Sequence, residues 1–362
     1  MPRLVEATSC PACGSSEIRT KSRYERKVRT MKGIETFSIS QHCCRSCQNT
    51  FTDELEGVKH GCQIANEVKV RAAALYIEGP DLEGVKRWLS EDLCVRISAS
   101  TIWRATNLAA KASRGVDVCN HFNAKLSDFV CVDEKFISVH GRKKPQFFAI
   151  CPKTGVVVIQ KLLRKRDEAA VRELFRKLKR LGFKVCISDD WKAYVAIAKE
   201  MGLRHQKCHF HAKRACFRIM KKKHVQKGRK EKFLRWLFAF LDSQSLEEAK
   251  GWLRVIGRIK KEKKLRRFLM SFLSDWKDYF TYMEFPGCPK TSNPIEQFNR
   301  RFEQKRQTMH GFRKERSARE FTALFSLHSA FRKFESGVHA GLSPLELAGV
   351  SIGSMKMFDL LL

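Results

Sequence analysis

Residues 129–141, FVCVDEKFISVHG, form the stretch that decides the fold. This apolar run ends in glycine, as strands often do, and two similar runs follow at 145–155 (PQFFAICPKTG) and 156–163 (VVVIQKLL). A helical pattern comes next at 167–182, and then a fourth apolar run that ends in acids, KVCISDDW at 184–191. Three antiparallel strands, a helix and a fourth strand backed by helices predict an α/β fold.

Three carboxylates in and around these elements are candidates for chemistry. Asp133 lies inside the first apolar run, where an acid is costly unless it is paired or binds a cation. Asp189 ends the fourth strand, the edge at which α/β sheets gather functional groups. Glu296 lies on a predicted helix in TSNPIEQFNRR. We expect the three to converge on Mg²⁺ or Mn²⁺, which prefer oxygen ligands and support phosphoryl transfer in pairs.

Two of these acids have an acidic neighbour. Glu134 follows Asp133, and Asp190 follows Asp189, so the second ligand is either Asp189 or Asp190. Neighbouring side chains on a strand point to opposite faces, and only one of each pair should reach a shared ion. We favour Asp189 because it directly follows the apolar run.

The chain after the fourth strand is predicted to be helical. Residues 205–285 show no strand pattern and are rich in Phe and Trp, and two further helical patterns occur at 294–308 and 317–334. We therefore expect a core in two parts, separated by an all-helical insertion and followed by a tail. The predicted boundaries are 125–204 for the first part of the core, 205–288 for the insertion, 289–340 for the last part and 341–362 for the tail.

Two CxxC motifs near the N-terminus predict a zinc ribbon over residues 1–56. Each motif can place two thiolates on one tetrahedral ion, and the alternating sequence between them suits hairpin strands. The predicted ligands are Cys10, Cys13, Cys44 and Cys47. Ordinary buried thiols are the alternative, and Cys43 and His42 are further donors beside the second motif.

Residues 60–115 carry three helical patterns, the last of which begins with Ser98 or Ser100 as its N-cap. They fit a helix-turn-helix unit, whose final helix would enter the major groove of DNA. Ser100, Thr101 and Arg104 would then face the DNA. The alternative is a small helical bundle that only links two domains.

The overall charge points to a polyanionic partner. The chain has 362 residues, with 71 Lys and Arg against 38 Asp and Glu, a net charge of +33 and a pI of about 9.9. A hydrophobic content of 43% is enough to build folded cores. We find no membrane span and no signal peptide, so we expect an intracellular protein whose remaining cysteines, such as Cys131, Cys151 and Cys186, are small buried residues.

Basic runs in the insertion indicate where DNA phosphates would bind. They occupy residues 204–232, including KKKH at 221–224, and residues 254–267. Lys221 and Lys222 are the candidate contacts, together with Arg300, which lies one helical turn after Glu296. Any single run of this kind is also compatible with a solvated helix face.

Taken together, residues 128–335 resemble the DDE transposases of bacterial and archaeal insertion sequences, most closely the mutator-like branch. Asp133 stands in VDEKFISVHGRKKPQFFAICPKTG, Asp189 in ISDDWKAYVAIA and Glu296 in TSNPIEQFNRRFEQKRQTMHGFRKERSA, as the family's three acids do. The long stretch before Glu296 is similar to a core with a helical insertion. Cys208-His-Phe-His211 stands where that branch has its Cys-x2-His signature.

The resemblance implies an RNase H-like catalytic core that cleaves DNA at transposon ends and joins the 3′-OH to target DNA, with Mg²⁺ or Mn²⁺ on the three acids. It also implies double-stranded DNA as partner, a homodimer or larger assembly on DNA, and a cytoplasmic, nucleoid-associated protein. Cys208 and His211 are either half of a second zinc site or part of the core's structure. The rivals are an inactive DNA-binding regulator and a nuclease that cuts without joining.

Overall fold

The computed structural model describes residues 1–222, 227–257, 268–270, 272–309 and 311–361. Its N-terminal part is a long two-stranded ribbon with a short third strand, and the pair β1–β5 closes its base. The hairpin follows the predicted alternation, with Val28 and Ile39 buried on one face. The strands are β1 (Arg3–Val5), β2 (Ile18–Thr30), β3 (Gly33–Cys44), β4 (Thr50–Thr52) and β5 (Glu54–Glu56).

The three predicted helices of the next unit are present, followed by a short fourth. Ser98 is the N-cap of the third helix, where its side chain accepts a hydrogen bond from the backbone N–H of Thr101. Asp81 caps the second helix in the same way. The helices are α1 (Asn66–Glu78), α2 (Leu82–Leu93), α3 (Ala99–Ser113) and α4 (Val118–His121).

A five-stranded mixed sheet forms the centre of the molecule, in the order β10-β9-β6-β7-β8. Strands β6, β7 and β8 run antiparallel to one another, and β9 and β10 run parallel to β6. The strands are β6 (Phe129–Val139), β7 (Arg142–Ile150), β8 (Val157–Leu162), β9 (Val185–Ser188) and β10 (Arg204–Lys207). The α/β class predicted from the sequence is confirmed.

Helices cover both faces of this sheet, as two neighbouring residues of β7 show. Phe147 packs against Tyr194 on one face, whereas Phe148 packs against Phe298 and Phe302 on the other. The helices after the strands are α5 (Glu168–Arg180), α6 (Lys192–Glu200), α7 (His209–Lys222), α8 (Lys227–Leu241), α9 (Leu246–Gly257), α10 (Asn293–Gln307), α11 (Glu315–Phe331) and α12 (Pro344–Leu347).

The insertion has a hydrophobic core of its own. Phe233, Leu237 and Phe240 of α8 are buried together with Phe272 and Tyr279. The three insertion tryptophans pack against the same cluster rather than standing free; they are Trp236, Trp252 and Trp276.

The expectation of no strand after residue 204 was wrong, because β10 crosses that boundary. Its sequence, Arg204-His-Gln-Lys207, is polar and carries no apolar signal, yet His205, Gln206 and Lys207 are buried where β10 pairs with β9. The insertion therefore starts after a strand of the central sheet. The predicted tail also packs on the body, with Leu345, Met357 and Phe358 buried.

Candidate active site

Strand register brings two of the predicted acids to the same level of the sheet. Strand β6 pairs with β9 in parallel, with Phe129 opposite Val185 and Cys131 opposite Ile187. The same offset sets Asp133 opposite Asp189, just beyond the last residue of β9. At this level the paired part of the two strands has ended.

The neighbouring acids, Glu134 and Asp190, already have close basic partners. Glu134 lies 3.2 Å from Arg166, and Asp190 lies 2.8 Å from the buried Nζ of Lys207. Asp189 is half-exposed and has only a loose contact with Arg166, at 3.8 Å. Of the two adjacent pairs, Asp133 and Asp189 are therefore the acids left without a close cation in the described part of the chain.

Asp133 is held by helix α10. The side-chain amide of Asn299 donates a hydrogen bond of 2.7 Å to Asp133 Oδ2. Burial, reinforced by the negative charge of Glu296 and then of Asp189, raises the pKa of Asp133 to about 7. Glu296 lies on the same helix, one turn before Asn299, so α10 carries an acid and an amide to the edge of the sheet.

Glu296 contacts a histidine from the start of α7. The Nε2 atom of His211 lies 3.1 Å from Glu296 Oε1, and this partner lowers the pKa of Glu296. Burial alone would lower the pKa of His211, but the adjacent Cys208 thiol and Glu296 carboxylate outweigh burial and raise that pKa to about 10. The Cys208 sulfur in turn accepts hydrogen bonds of 3.2 Å from the backbone N–H and hydroxyl of Ser292.

The donor set fits a hard divalent cation, although the three carboxylates lie apart from one another. Among the described residues, only the four N-terminal cysteines bring three or more metal-ligating atoms within 4.8 Å of one another. Asp133 forms no ion pair with a basic side chain in those residues, and Asn299 Oδ1 is buried without a hydrogen-bond partner there. A hydrated Mg²⁺ or Mn²⁺ would supply both a compensating positive charge and a donor for that oxygen.

A groove lined by three basic side chains and by two acids, Glu296 and Glu303, adjoins the site, and sequence reasoning found only part of this basic groove. The cavity has a volume of about 640 Å³ and is lined by Glu296 and Arg300 along one face of α10. Two basic residues opposite them, Lys135 and Arg214, were missed. Lys135 could have been found by strand alternation, because it lies two residues after Asp133 on the same face. Arg214 carried no local signal.

The four cysteines of the predicted ribbon lie at zinc-binding distances. The sulfurs of Cys10 and Cys47 are 3.6 Å apart, as are those of Cys13 and Cys44. A tetrahedral zinc with Zn–S bonds of about 2.3 Å spaces its sulfurs by about 3.8 Å. The backbone N–H of Cys47 is the main cause that lowers the pKa of Cys44 to about 6, which favours the thiolate that binds metal.

The spare donors beside the ribbon do not join this site. His42 pairs with Asp53 at 2.8 Å, and the Cys43 thiol contacts backbone carbonyls. The four cysteines can therefore hold zinc without a fifth donor.

A second zinc site around Cys208 does not assemble in the described residues. His205 contacts Ser188 at 2.8 Å, and Cys216 is buried in the core of the insertion. His224, a third candidate partner, lies outside the described residues. Cys208 and His211 instead support Glu296, as the contacts above show.

The residues predicted to touch DNA lie on exposed helix surfaces where they are described. On α3, Ser100 and Arg104 are exposed and Thr101 is half-buried. Lys221 is exposed at the end of α7, and Arg300 is exposed on α10. The side chain of Lys222 and the basic stretches 223–224 and 258–267 lie outside the described residues.

Comparison with known protein families gives a match over most of the chain. A family model described as Transposase IS66 family matches residues 72–320. The match supports an insertion-sequence transposase, which the resemblance implied, and does not support the mutator-like branch. A search of curated proteins finds no match. No helix among the described residues is long and apolar enough to cross a membrane.

Proposed function

The chain belongs to the IS66 family of transposases, and we propose that it cleaves DNA at transposon ends and joins the freed 3′-OH to target DNA. Asp133, Asp189 and Glu296 are the proposed catalytic residues. The observation that carries the proposal is the register of β6 and β9, which puts two acids at one level, with α10 bringing Glu296 toward them.

The domain assignments belong to the same proposal. The central sheet, with three antiparallel strands followed by two parallel ones, supports an RNase H-like core. The exposed face of α3 supports a helix-turn-helix role for residues 60–115, with Ser100, Thr101 and Arg104 toward DNA. The four-cysteine ribbon would help to recognise the transposon end, and two ends would be paired by a dimer or larger assembly.

In this mechanism the three acids would hold two Mg²⁺ or Mn²⁺ ions. Such ions activate an attacking oxygen and stabilise the leaving one in phosphoryl transfer. Two neighbouring side chains position these carboxylates. Asn299 fixes the carboxylate of Asp133, and His211 orients Glu296.

The substrate phosphates would be held by the basic groove beside the acids. Lys135, Arg214 and Arg300 line that groove together with Glu296, so a DNA backbone lying there would present a phosphate to the acids. Catalysis of phosphoryl transfer depends mostly on positioning and charge neutralisation, so no nucleophilic side chain is required.

An assay with labelled transposon ends in Mg²⁺ tests the proposal. Asp133→Asn, Asp189→Asn and Glu296→Gln should each abolish cleavage and joining and leave DNA binding intact. Asp128→Asn is the matched control, because Asp128 forms an exposed ion pair with Lys184 at the start of the core. It should cleave and join like the wild type.

Each alternative outcome has a definite meaning. Joining that survives any of the three substitutions would refute the role of that residue, and activity in Asp189→Asn would point to Asp190. A wild-type protein that binds without cutting would indicate a DNA-binding regulator. One that cuts without joining would indicate a nuclease.

A further inference from the structure

A second groove lies on the other flank of α10. It has a volume of about 570 Å³ and is formed by the turn between β7 and β8, by α10 and by the chain that follows α11. Its C-terminal wall, from Ser329 to Leu347, lies entirely outside the stretch that matches the transposase family. The family match therefore assigns nothing to this wall.

The two grooves are continuous across α10. Gln297 and Arg300 line both of them, and both side chains are accessible at the surface. The ridge between the grooves is therefore formed by two positions one turn apart on a single helix. A polymer that lies against Glu296 in the first groove can cross this ridge and enter the second without leaving the surface.

The second groove is strongly basic. Its walls carry five lysine and arginine side chains and a single acid, Glu335. Glu335 is paired with Arg332, which also approaches Glu78 at 3.6 Å. Three exposed cations, Lys153, Arg300 and Lys333, form no ion pair within the described part of the chain. Such an uncompensated set favours a bound polyanion.

The walls of the groove are fixed by close packing. Gly155 has a φ of +83°, and a Cβ at this position would lie 3.4 Å from the ring of Phe334. Phe334 in turn exchanges backbone hydrogen bonds of 2.9 Å with Leu342 and Gly341. Lys153 and Lys333 are thus carried by two segments that pack directly on each other.

We propose that this second groove binds the DNA backbone where the duplex continues past the active site, with Lys153 and Lys333 contacting phosphates. The proposal rests on the proposed function, because it extends the DNA path that begins beside Glu296. It adds a binding surface built by the C-terminal segment, on the opposite flank of the helix that carries the catalytic acid.

The salt dependence of DNA binding tests this assignment. The probe is a mixed-sequence B-form duplex of about 30 base pairs, and affinity is measured by fluorescence anisotropy at several salt concentrations. The double variant K153Q/K333Q should flatten the slope of log Kobs against log [salt] by about 1.8, or about 0.9 for each lost phosphate contact. K153E/K333E should weaken binding further.

The matched control is R176Q/R180Q, which also removes two exposed positive charges, but from α5, outside both grooves. It should keep the wild-type slope. An unchanged slope in K153Q/K333Q, or an equal change in the control, would overturn the groove assignment. Because Lys153 and Lys333 are exposed and form no ion pair in the described part of the chain, thermal unfolding should be the same for all variants.

The result of this salt-dependence experiment can be distinguished from the result of the assay that tests the proposed function. If Glu296→Gln abolishes joining while K153Q/K333Q keeps the wild-type slope, the catalytic proposal stands and the groove proposal fails. If K153Q/K333Q flattens the slope while Glu296→Gln still joins DNA, the groove proposal stands and the catalytic one fails. A wild-type protein that does not bind the duplex would overturn the groove proposal, while the assay with transposon ends decides the catalytic one.

Discussion

The two candidate metal sites of this chain differ in how completely the fold assembles them. The four cysteine sulfurs of the ribbon lie within 4.8 Å of one another. Asp133, Asp189 and Glu296 do not meet that distance, although burial, followed by the charges of Glu296 and Asp189, raises the pKa of Asp133. The fold brings all four ribbon sulfurs together, whereas it leaves the three acids further apart.

Elementary electrostatics explains the difference. Neutral thiols can pack together, and the backbone N–H of Cys47 then lowers the pKa of the Cys44 thiol to about 6, which favours its ionisation. Ionised carboxylates repel one another at close range, and a cation or a shared proton is needed to offset that repulsion. The fold therefore holds each acid on a separate rigid element.

Removal of zinc should have the largest effect and should sharpen this contrast. Structural zinc contributes about 10–16 kcal/mol to the folding of small zinc domains, so Cys44→Ser should unfold the ribbon. The core should keep its own thermal transition, because the four cysteines lie outside the hydrophobic cluster that packs the central sheet, which only Val28 and Leu55 join among the buried residues of the ribbon. Metal analysis, calorimetry and binding to transposon ends would measure the loss of zinc, of ribbon structure and of end recognition.

Cys94→Ser is the control for that experiment, because Cys94 is an exposed cysteine away from the cluster. It should retain one zinc per chain and normal end binding. The comparison between the two metal sites would break down if Cys44→Ser also kept its zinc, or if chelation unfolded the core together with the ribbon.

The same contrast explains what the sequence could predict. The ribbon ligands lie in two short motifs whose spacing alone fixes their geometry. Asp133 and Asp189 were found because each follows or interrupts an apolar strand. Asn299 and Arg166 were missed, because their roles depend on contacts between residues far apart in the chain. Such contacts leave no local pattern.

Strand β10 shows a second limit of prediction from the sequence. Periodicity finds a strand by its apolar face, but β10 buries His205, Gln206 and Lys207 through specific partners. Gln206 donates to the carbonyl of Tyr279 at 3.0 Å, and Lys207 pairs with Asp190. A polar edge strand satisfied by distant residues looks like a loop in the sequence. The parallel pairing of β10 with β9 is seen only in the folded structure.

Helix α10, which carries Glu296, is anchored further along by a buried lysine. The pH dependence of the protein's stability tests this anchor. Lys305 is 2% exposed, donates a hydrogen bond of 2.8 Å to the Pro80 carbonyl, and lies 3.4 Å from the centre of the Tyr76 ring. Burial lowers its pKa from 10.5 to about 7. This contact joins the acid-bearing helix to the N-terminal helical unit.

The sign of the resulting pH effect follows from these two pKa values. Between pH 7 and about 10 the unfolded state binds the proton and the folded state does not, so stability rises with pH. The free energy of unfolding of the wild type, relative to Lys305→Met, should increase by up to about 1.4 kcal/mol per pH unit in this range. Urea unfolding of both proteins at several pH values would measure it, and a constant difference would contradict the buried-lysine account.

Asn299→Ala should have the smallest effect of the three and tests whether the open acid site is positioned in advance. Loss of the 2.7 Å hydrogen bond would free the Asp133 carboxylate to rotate, and removing such a supporting partner costs about 10–100-fold in metal affinity or activity. The variant should therefore need more Mg²⁺ for half-maximal joining, with DNA binding unchanged. Asn120→Ala, on an exposed face of α4, should titrate like the wild type. If Asn299→Ala does so too, Asp133 is positioned by its strand alone, and the acid site is more nearly preformed than its contrast with the ribbon implies.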